Sequence, residues 1–112
     1  MYVIAYDVGT TGLKSCLFSI GKDQPIELIA GETADYDLYV LDNGGIEQDP
    51  IQWWDAMGVT TKKLLEKTGI PKEDIKGMAK HAAKEANPLY PVPKLMSAKQ
   101  LEQFYYDVME EN

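Results

Sequence analysis

The chain of 112 residues is long enough for one domain and too short for two substantial ones. Its net charge of −7 disfavours nucleic acid and anionic membranes as partners, because the lysines are scattered among acidic residues and form no basic patch. The single cysteine, Cys16, cannot form an internal disulfide, and we expect it to be a small buried apolar residue. A lone thiol and the lack of a secretory leader pattern predict a cytoplasmic protein.

The first twenty residues predict a β-hairpin. Apolar runs over residues 2–7 and 13–20 flank a bend made of small residues. Side chains alternate between the two faces of a strand, so the second run has two predicted faces. One face carries Cys16, Phe18 and Ile20, and the other carries Ser15, Leu17 and Ser19.

The bend of this hairpin carries residues suited to a phosphate. Gly9 allows close approach of the main chain and a positive φ, and Thr10 and Thr11 add hydroxyl groups beside the backbone N–H donors. Asp7 ends the first strand, and its carboxylate would meet a phosphate only through a bridging Mg²⁺. The same residue types are common in ordinary turns, so the bend alone leaves both interpretations open.

A third strand and a first helix follow along the chain. Residues 26–40 hold the third predicted strand, and residues 42–45 form a loop. Asp49 is a good N-cap and Pro50 suits the first position of a helix, where its missing N–H costs nothing. Apolar residues then recur at helical spacing, which predicts a helix over residues 50–67, ended by a Gly-Ile-Pro sequence.

The next segment is compatible with two structures. Residues 75–79 fit a short buried strand, yet apolar residues recur at helical spacing from Ile75 to Ala86. Alanine favours the helix, and Gly77 opposes it by about 1 kcal/mol. We predict a helix over residues 72–86.

The end of the chain predicts a connector and a last helix. Three prolines make residues 87–93 an extended connector. Ser97 and Gln100 form a capping box, and an apolar stripe follows it. We expect the stripe to pack on this domain rather than on a partner, because large apolar patches seldom stay exposed. The stripe consists of Leu101, Phe104, Tyr105, Val108 and Met109.

Several pieces of sequence occur in an order and spacing typical of one enzyme family. They are IAYDVGTT at residues 4–11, Lys14, GIEQDP at residues 45–50 leading into Trp53 and Trp54, and residues 69–77. With these pieces, residues 2 to about 79 resemble the N-terminal end of the FGGY carbohydrate kinases, closest to the xylulokinase branch.

The resemblance implies an α/β fold, a partial ribonuclease-H-like subdomain of the actin- and hexokinase-type ATPases, with a three-stranded antiparallel sheet plus helices. It implies that Asp7 helps to hold Mg²⁺ and that Gly9, Thr10 and Thr11 approach the phosphates of ATP. Lys14 would add positive charge nearby, or would be a solvated strand lysine. The implied reaction is phosphoryl transfer from ATP to a sugar hydroxyl.

The match to this family breaks after Ala79, where residues 80–84 replace the segment that touches the sugar in the family. The family's catalytic base and adenine pocket have no counterpart in this sequence. We therefore assign no catalytic residue and expect a weak or partial Mg-ATP site. This interpretation divides the chain into a truncated kinase domain over residues 1–79 and a helical tail with a proline-rich connector over residues 80–112.

The tail has a resemblance of its own. Residues from about 69 to 109 resemble the C-terminal end of iron-containing alcohol dehydrogenases, where this stretch is structural. His81 therefore inherits no metal role.

Two functional hypotheses remain. The first is a kinase fragment that is inactive alone, and the second is a small interaction domain that binds a partner through its last helix or a sheet edge. An unpaired edge beside the first strand would also favour self-association.

Overall fold

The computed structural model describes residues 1–89 and 96–110, with the backbone alone over residues 85–89. Its architecture is mixed α/β, with a three-stranded antiparallel sheet and three helices, as the sequence predicts. The elements in chain order are β1 (Tyr2–Val8), β2 (Gly12–Ser19), β3 (Glu27–Asp35), β4 (Tyr39–Val40), β5 (Ile46–Glu47), α1 (Pro50–Thr68), α2 (Lys72–Leu89) and α3 (Ala98–Glu110).

The main sheet has the order β1-β2-β3, and β2 carries its most buried positions. Leu13, Ser15 and Leu17 point toward the helices and are fully buried. The predicted alternation along β2 is therefore confirmed. Cys16 lies on the opposite face and is only half-buried, so the prediction of a buried thiol is wrong. The reason is that the helices cover the other face of the sheet.

The third predicted strand, which runs within residues 26–40 from Ile26 through Tyr36, is confirmed as β3 to within one residue at each end. The end of that segment forms β4, which was not predicted and pairs with β5 in a separate two-stranded hairpin. Gly44 makes the turn between β4 and β5 possible, because its φ of 82° lies in the region that glycine adopts without steric cost.

Helix α1 has the two ends that the sequence predicts. Asp49 is the N-cap, and its carboxylate accepts a hydrogen bond of 2.9 Å from the N–H of Ile51. Gly69 ends the helix with a φ of 64°, and its N–H donates to the carbonyl of Leu65 at 3.0 Å.

Two pairs of hydroxyl groups join α1 to the sheet. Ser15 Oγ lies 2.7 Å from Thr60 Oγ1, and Thr60 donates its own proton to the carbonyl of Ala56 at 2.8 Å. Ser15 must therefore be the donor to Thr60. Beside this pair, the phenol of Tyr6 lies 2.6 Å from Thr61 Oγ1.

Helix α2 resolves the ambiguity of residues 75–79, which are helical rather than extended. Ile75, Met78 and Ala79 are buried in the core against Leu17 and α1, as the helical spacing predicts. The helix continues to Leu89, so the predicted connector is wrong for residues 87–89. Pro88 stands one residue before the end of α2, where its missing N–H removes one hydrogen bond of the last turn. The rest of that connector, residues 90–93, lies outside the described residues.

Helix α3 begins with the predicted capping box. Gln100 N–H donates to Ser97 Oγ at 3.3 Å, and Ser97 N–H donates to Gln100 Oε1 at 2.9 Å. The apolar stripe packs inside this chain, with Tyr105 and Val108 buried. The prediction of core packing for the stripe is confirmed.

Strand β1 is paired on one side only within the described residues. Its free edge lies beside α2, and a groove of about 450 Å³ runs between them. Val3, Ile4, Met78 and Ala82 contribute to the apolar part of its lining. Among the described helices, none combines the length and the apolar character needed to cross a bilayer.

Two glycine-to-alanine substitutions test the packing of this fold in opposite directions. A Cβ on Gly12 would lie 2.8 Å from the carbonyl oxygen of Ala34 and 2.9 Å from Asp35 Oδ1, whereas a Cβ on Gly77 meets nothing within 4 Å. We expect Gly12→Ala to lower the free energy of unfolding by about 1–3 kcal/mol through overpacking. We expect Gly77→Ala to raise it by up to about 1 kcal/mol through helix propensity. Urea denaturation measures both, and a destabilising Gly77→Ala would contradict the helical assignment of α2.

Candidate functional site

The bend between β1 and β2 is a tight turn at one corner of the sheet. The N–H of Gly9 donates to the carbonyl of Gly12 at 2.9 Å and closes the turn. Thr10 and Thr11 form its tip and are exposed. The turn therefore presents two hydroxyl groups and its backbone to solvent.

Gly9 serves this turn through its small size. Of the two properties that glycine offers a turn, close approach and a positive φ, the turn uses the first, since positive φ values among the described glycines occur only at Gly44 and Gly69. A Cβ on Gly9 would lie 3.0 Å from the carbonyl oxygen of Gly12, which is tighter than an ordinary contact. Glycine is needed because the two arms of the turn approach closely.

Every backbone carbonyl of the turn accepts a hydrogen bond. Tyr36 supplies two groups: its N–H donates to the carbonyl of Thr11 at 3.2 Å, and its hydroxyl shares its one proton between the carbonyls of Gly9 and Gly12, the second at 3.0 Å. Gln48 Nε2 donates to the carbonyl of Thr10.

Two N–H donors of the turn lack a partner in the described part of the chain. Within residues 1–89 and 96–110, no protein group accepts a hydrogen bond from the N–H of Thr10 or Thr11. Because the acceptors are occupied and these donors are not, the tip of the turn favours an anionic ligand.

Asp7 and Lys14 lie next to this turn. They are directly opposite each other in the β1–β2 register, both are exposed, and both project from the face of the sheet that the helices leave uncovered. No hydrogen bond or salt bridge holds the Asp7 carboxylate among the described residues. The structure thus places all five predicted residues, Asp7, Gly9, Thr10, Thr11 and Lys14, at one corner.

Tyr36 is held on the other side of this corner. Its ring lies against Trp53 of α1, with ring centroids 6.4 Å apart. The next residue, Asp37, donates its N–H to Gln52 Oε1 at 2.8 Å, which ties the end of β3 to α1. Burial of the ring and then the negative charge of Asp7 raise the pKa of the Tyr36 phenol, so it remains a donor at neutral pH.

The residues of this corner fit a magnesium–polyphosphate ligand. Among the described residues, no three acidic, histidine or cysteine side chains cluster to form an all-protein metal site. Mg²⁺ does not require one, since it usually binds one or two carboxylates together with phosphates and water. Asp7 is an exposed carboxylate that could serve in this way, and the N–H groups of Thr10 and Thr11 have no acceptor among the described residues.

The residues that shape the turn, Tyr36 and Gln48, were missed by sequence reasoning. Their contacts with the turn span 27 and 38 positions of the chain, and short motifs cannot show such contacts.

The Ser15–Thr60 pair left a sequence signal, because Ser15 interrupts an otherwise apolar face between Leu13 and Leu17. His81 is exposed on α2 and belongs to no metal cluster among the described residues.

Comparison with known proteins identifies relatives of this chain. Residues 2–89 match the N-terminal domain of the FGGY family of carbohydrate kinases. Similar curated proteins include glycerol kinases from Thermoanaerobacter sp. (strain X514), 30% identical over 74 residues, and from Sinorhizobium fredii (strain NBRC 101917 / NGR234), 33% identical over 75 residues. Each alignment covers 66% of this chain and 14% of the relative.

The chain therefore spans a small part of the length of the curated relatives that it matches. No solved structure matches it significantly. Carbohydrate kinases of this family use ATP with a divalent metal, and the mixed α/β architecture is consistent with the actin- and hexokinase-type ATPase fold. By its sequence match over residues 2–89, the chain belongs to the FGGY family of carbohydrate kinases, as part of their N-terminal domain.

Proposed function

We propose that this chain supplies the phosphate-binding turn of an ATP-dependent carbohydrate kinase, as one wall of the ATP site. The observation that carries the proposal is the turn of residues 9–12, whose carbonyls are all occupied while the N–H groups of Thr10 and Thr11 have no acceptor within residues 1–89 and 96–110. Asp7 would hold Mg²⁺, and Lys14 would add positive charge beside it. Mg²⁺, when bound, would neutralise charge on the polyphosphate.

The metal is needed for an electrostatic reason. The chain carries a net charge of −7, and ATP is itself strongly anionic, so the free nucleotide is repelled. The exposed Asp7 carboxylate adds to this repulsion at the corner itself. If Asp7 held a Mg²⁺ ion, the metal charge would turn the repulsion between the Asp7 carboxylate and the ATP phosphates into a net attraction.

The acceptor in this proposal is a hydroxyl group of a small sugar or polyol. The sequence resemblance favours a xylulokinase-like specificity, and the relatives named above are glycerol kinases. Both names describe phosphorylation of a polyhydroxylated compound. A kinase that consumes ATP and a metabolite of this kind is expected in the cytoplasm.

We expect Mg-ATP to bind weakly and at the turn. Titration of the isotope-labelled chain should shift the amide resonances of Thr10, Thr11 and Gly12 in the presence of Mg²⁺ and much less with ATP and a chelator. Asp7→Asn removes the carboxylate charge proposed to bind the metal and should weaken Mg-ATP binding about tenfold, a loss of about 1.4 kcal/mol.

Asp23→Asn is the matched control for this measurement. It changes the net charge equally, but Asp23 lies in the loop after β2 rather than at the turn. The proposal fails if Asp23→Asn weakens binding as much as Asp7→Asn, or if the shifted resonances lie away from the turn.

Phosphorylation by the purified chain should not be measurable. In this proposal the chain forms one wall of the ATP site, and phosphoryl transfer depends on positioning both reactants and on closure of the site around them. A coupled assay of ADP release with Mg-ATP and either xylulose or glycerol tests this expectation. Turnover that persists after further purification would contradict it.

A second candidate function is association through the free edge of β1. The buried stripe of α3 is already used inside this chain, so the sheet edge and its apolar groove are the surface that favours this candidate. The backbone groups at this edge could pair with a strand of a second copy or of a partner chain.

Light scattering over a range of concentrations tests self-association. We expect Ala5→Lys, which places a charge on exposed β1, to shift the chain toward monomer. Thr33→Lys on β3 is the matched control and should leave the association unchanged. A monomeric parent chain at all concentrations would contradict this candidate.

A further inference from the structure

We infer that Tyr36 and Gln48 are positioning residues for the phosphate: they occupy the carbonyl oxygens of the β1–β2 turn and so leave its N–H groups to the ligand. The inference rests on the proposed function and deepens it. It assigns a role to two side chains outside the turn motif. Tyr36 directly follows β3, and Gln48 lies between β5 and α1.

The first step of the argument is electrostatic. A carbonyl oxygen that faces a phosphate repels it, and a free carbonyl in a flexible turn can rotate toward any approaching cation or ligand. Tyr36 and Gln48 donate hydrogen bonds to the carbonyls of Gly9, Thr10 and Gly12. These bonds reduce the repulsion and fix the orientation of the peptide planes.

The second step is geometric. Each peptide plane carries its N–H opposite its C=O, so fixing the carbonyl of Gly9 fixes the N–H of Thr10. In the same way, fixing the carbonyl of Thr10 fixes the N–H of Thr11. Tyr36 and Gln48 therefore orient the N–H groups of Thr10 and Thr11, the same groups of the turn that have no acceptor among the described residues.

The third step concerns rigidity. Tyr36 is restrained by the ring of Trp53 and, through Asp37, by Gln52 of α1. Gln48 directly precedes Asp49, the N-cap of α1. Both positioning residues are thus anchored to the same helix, so α1 acts as the support of the turn. A turn that is ordered before the ligand arrives loses less entropy on binding.

The variants Tyr36→Phe and Gln48→Met remove these donors with little change in size or charge. Tyr106→Phe is the matched control, because the Tyr106 hydroxyl contacts Glu102 on α3 and lies outside the contacts that hold the turn. In the ligand-free chain, Tyr36→Phe and Gln48→Met should raise the picosecond–nanosecond mobility of the Thr10 and Thr11 amides, measured by ¹⁵N relaxation. Tyr106→Phe should not.

The affinity for Mg-ATP, followed by the same amide resonances, is the second readout. Each variant should weaken binding about three- to tenfold, which is the size of one hydrogen bond. Urea denaturation of every variant separates this role from a structural one: a merely structural residue would lower the unfolding midpoint while the folded chain kept its affinity and its ordered turn.

The outcomes distinguish the two proposals. If the parent chain binds Mg-ATP and both variants bind equally well with an unchanged turn, the positioning role is overturned and the phosphate site stands. If the parent chain does not bind Mg-ATP, the proposed function is overturned, and with it the role of Tyr36 and Gln48 toward a phosphate. The mobility measurement would then decide only whether these two residues order the turn. Weaker binding with a looser turn in both variants supports the inference.

Discussion

The docking of α1 onto the sheet is the constraint on which the rest of this structure depends. Ser15 and Thr60 meet at 2.7 Å with both side chains fully buried, and Tyr6 and Thr61 meet at 2.6 Å beside them. A buried hydroxyl without a partner lowers the stability of the folded chain. These pairs therefore favour the one register of α1 against the strands in which each hydroxyl is paired. Hydrophobic burial supplies most of the stability, but it is not directional and does not select that register as sharply.

The candidate site follows from this register. Once α1 is fixed, the segment before it brings Gln48 to the turn, and Trp53 supports Tyr36. The turn itself has few contacts of its own, since its tip is exposed. Its order therefore depends on hydrogen bonds from Tyr36 and Gln48, which lie 27 and 38 positions away in the sequence and are supported by α1. The proposed phosphate site is a property of the packed domain rather than of a short motif.

The two faces of the sheet differ in their exposure to solvent. The face that carries Leu13, Ser15 and Leu17 is buried under the helices. The other face carries Asp7, Lys14 and the half-buried Cys16. Charged side chains are accepted there because solvent reaches them, which also leaves Asp7 accessible to a cation.

Local signals in the sequence predicted most of the fold. The ends of α1 followed from Asp49, Pro50 and Gly69, because capping depends on a few adjacent residues. The helical spacing around Ile75 correctly outweighed Gly77. The hairpin β4–β5 was missed because its strands are two residues each and carry no periodicity.

The candidate site was predictable only in part. The turn motif indicated Asp7, Gly9, Thr10, Thr11 and Lys14, and the register places them together, although their binding role stays a prediction. Of the two reasons that the sequence offered for glycine at position 9, close approach of the turn's two arms applies and a left-handed backbone does not. Tyr36 and Gln48 could not be found from sequence, since their contacts exist only after β3 and α1 have packed.

Paramagnetic broadening by Mn²⁺-ATP tests the central claim most directly, because Mn²⁺ can replace Mg²⁺ at an oxygen site and broadens nearby resonances. At substoichiometric Mn²⁺-ATP, the account predicts that amide signals from Asp7 to Lys14 broaden first, while those of α2 and of the loop after β2 remain sharp. Broadening spread evenly over the acidic surface, or centred away from the β1–β2 turn, would contradict it.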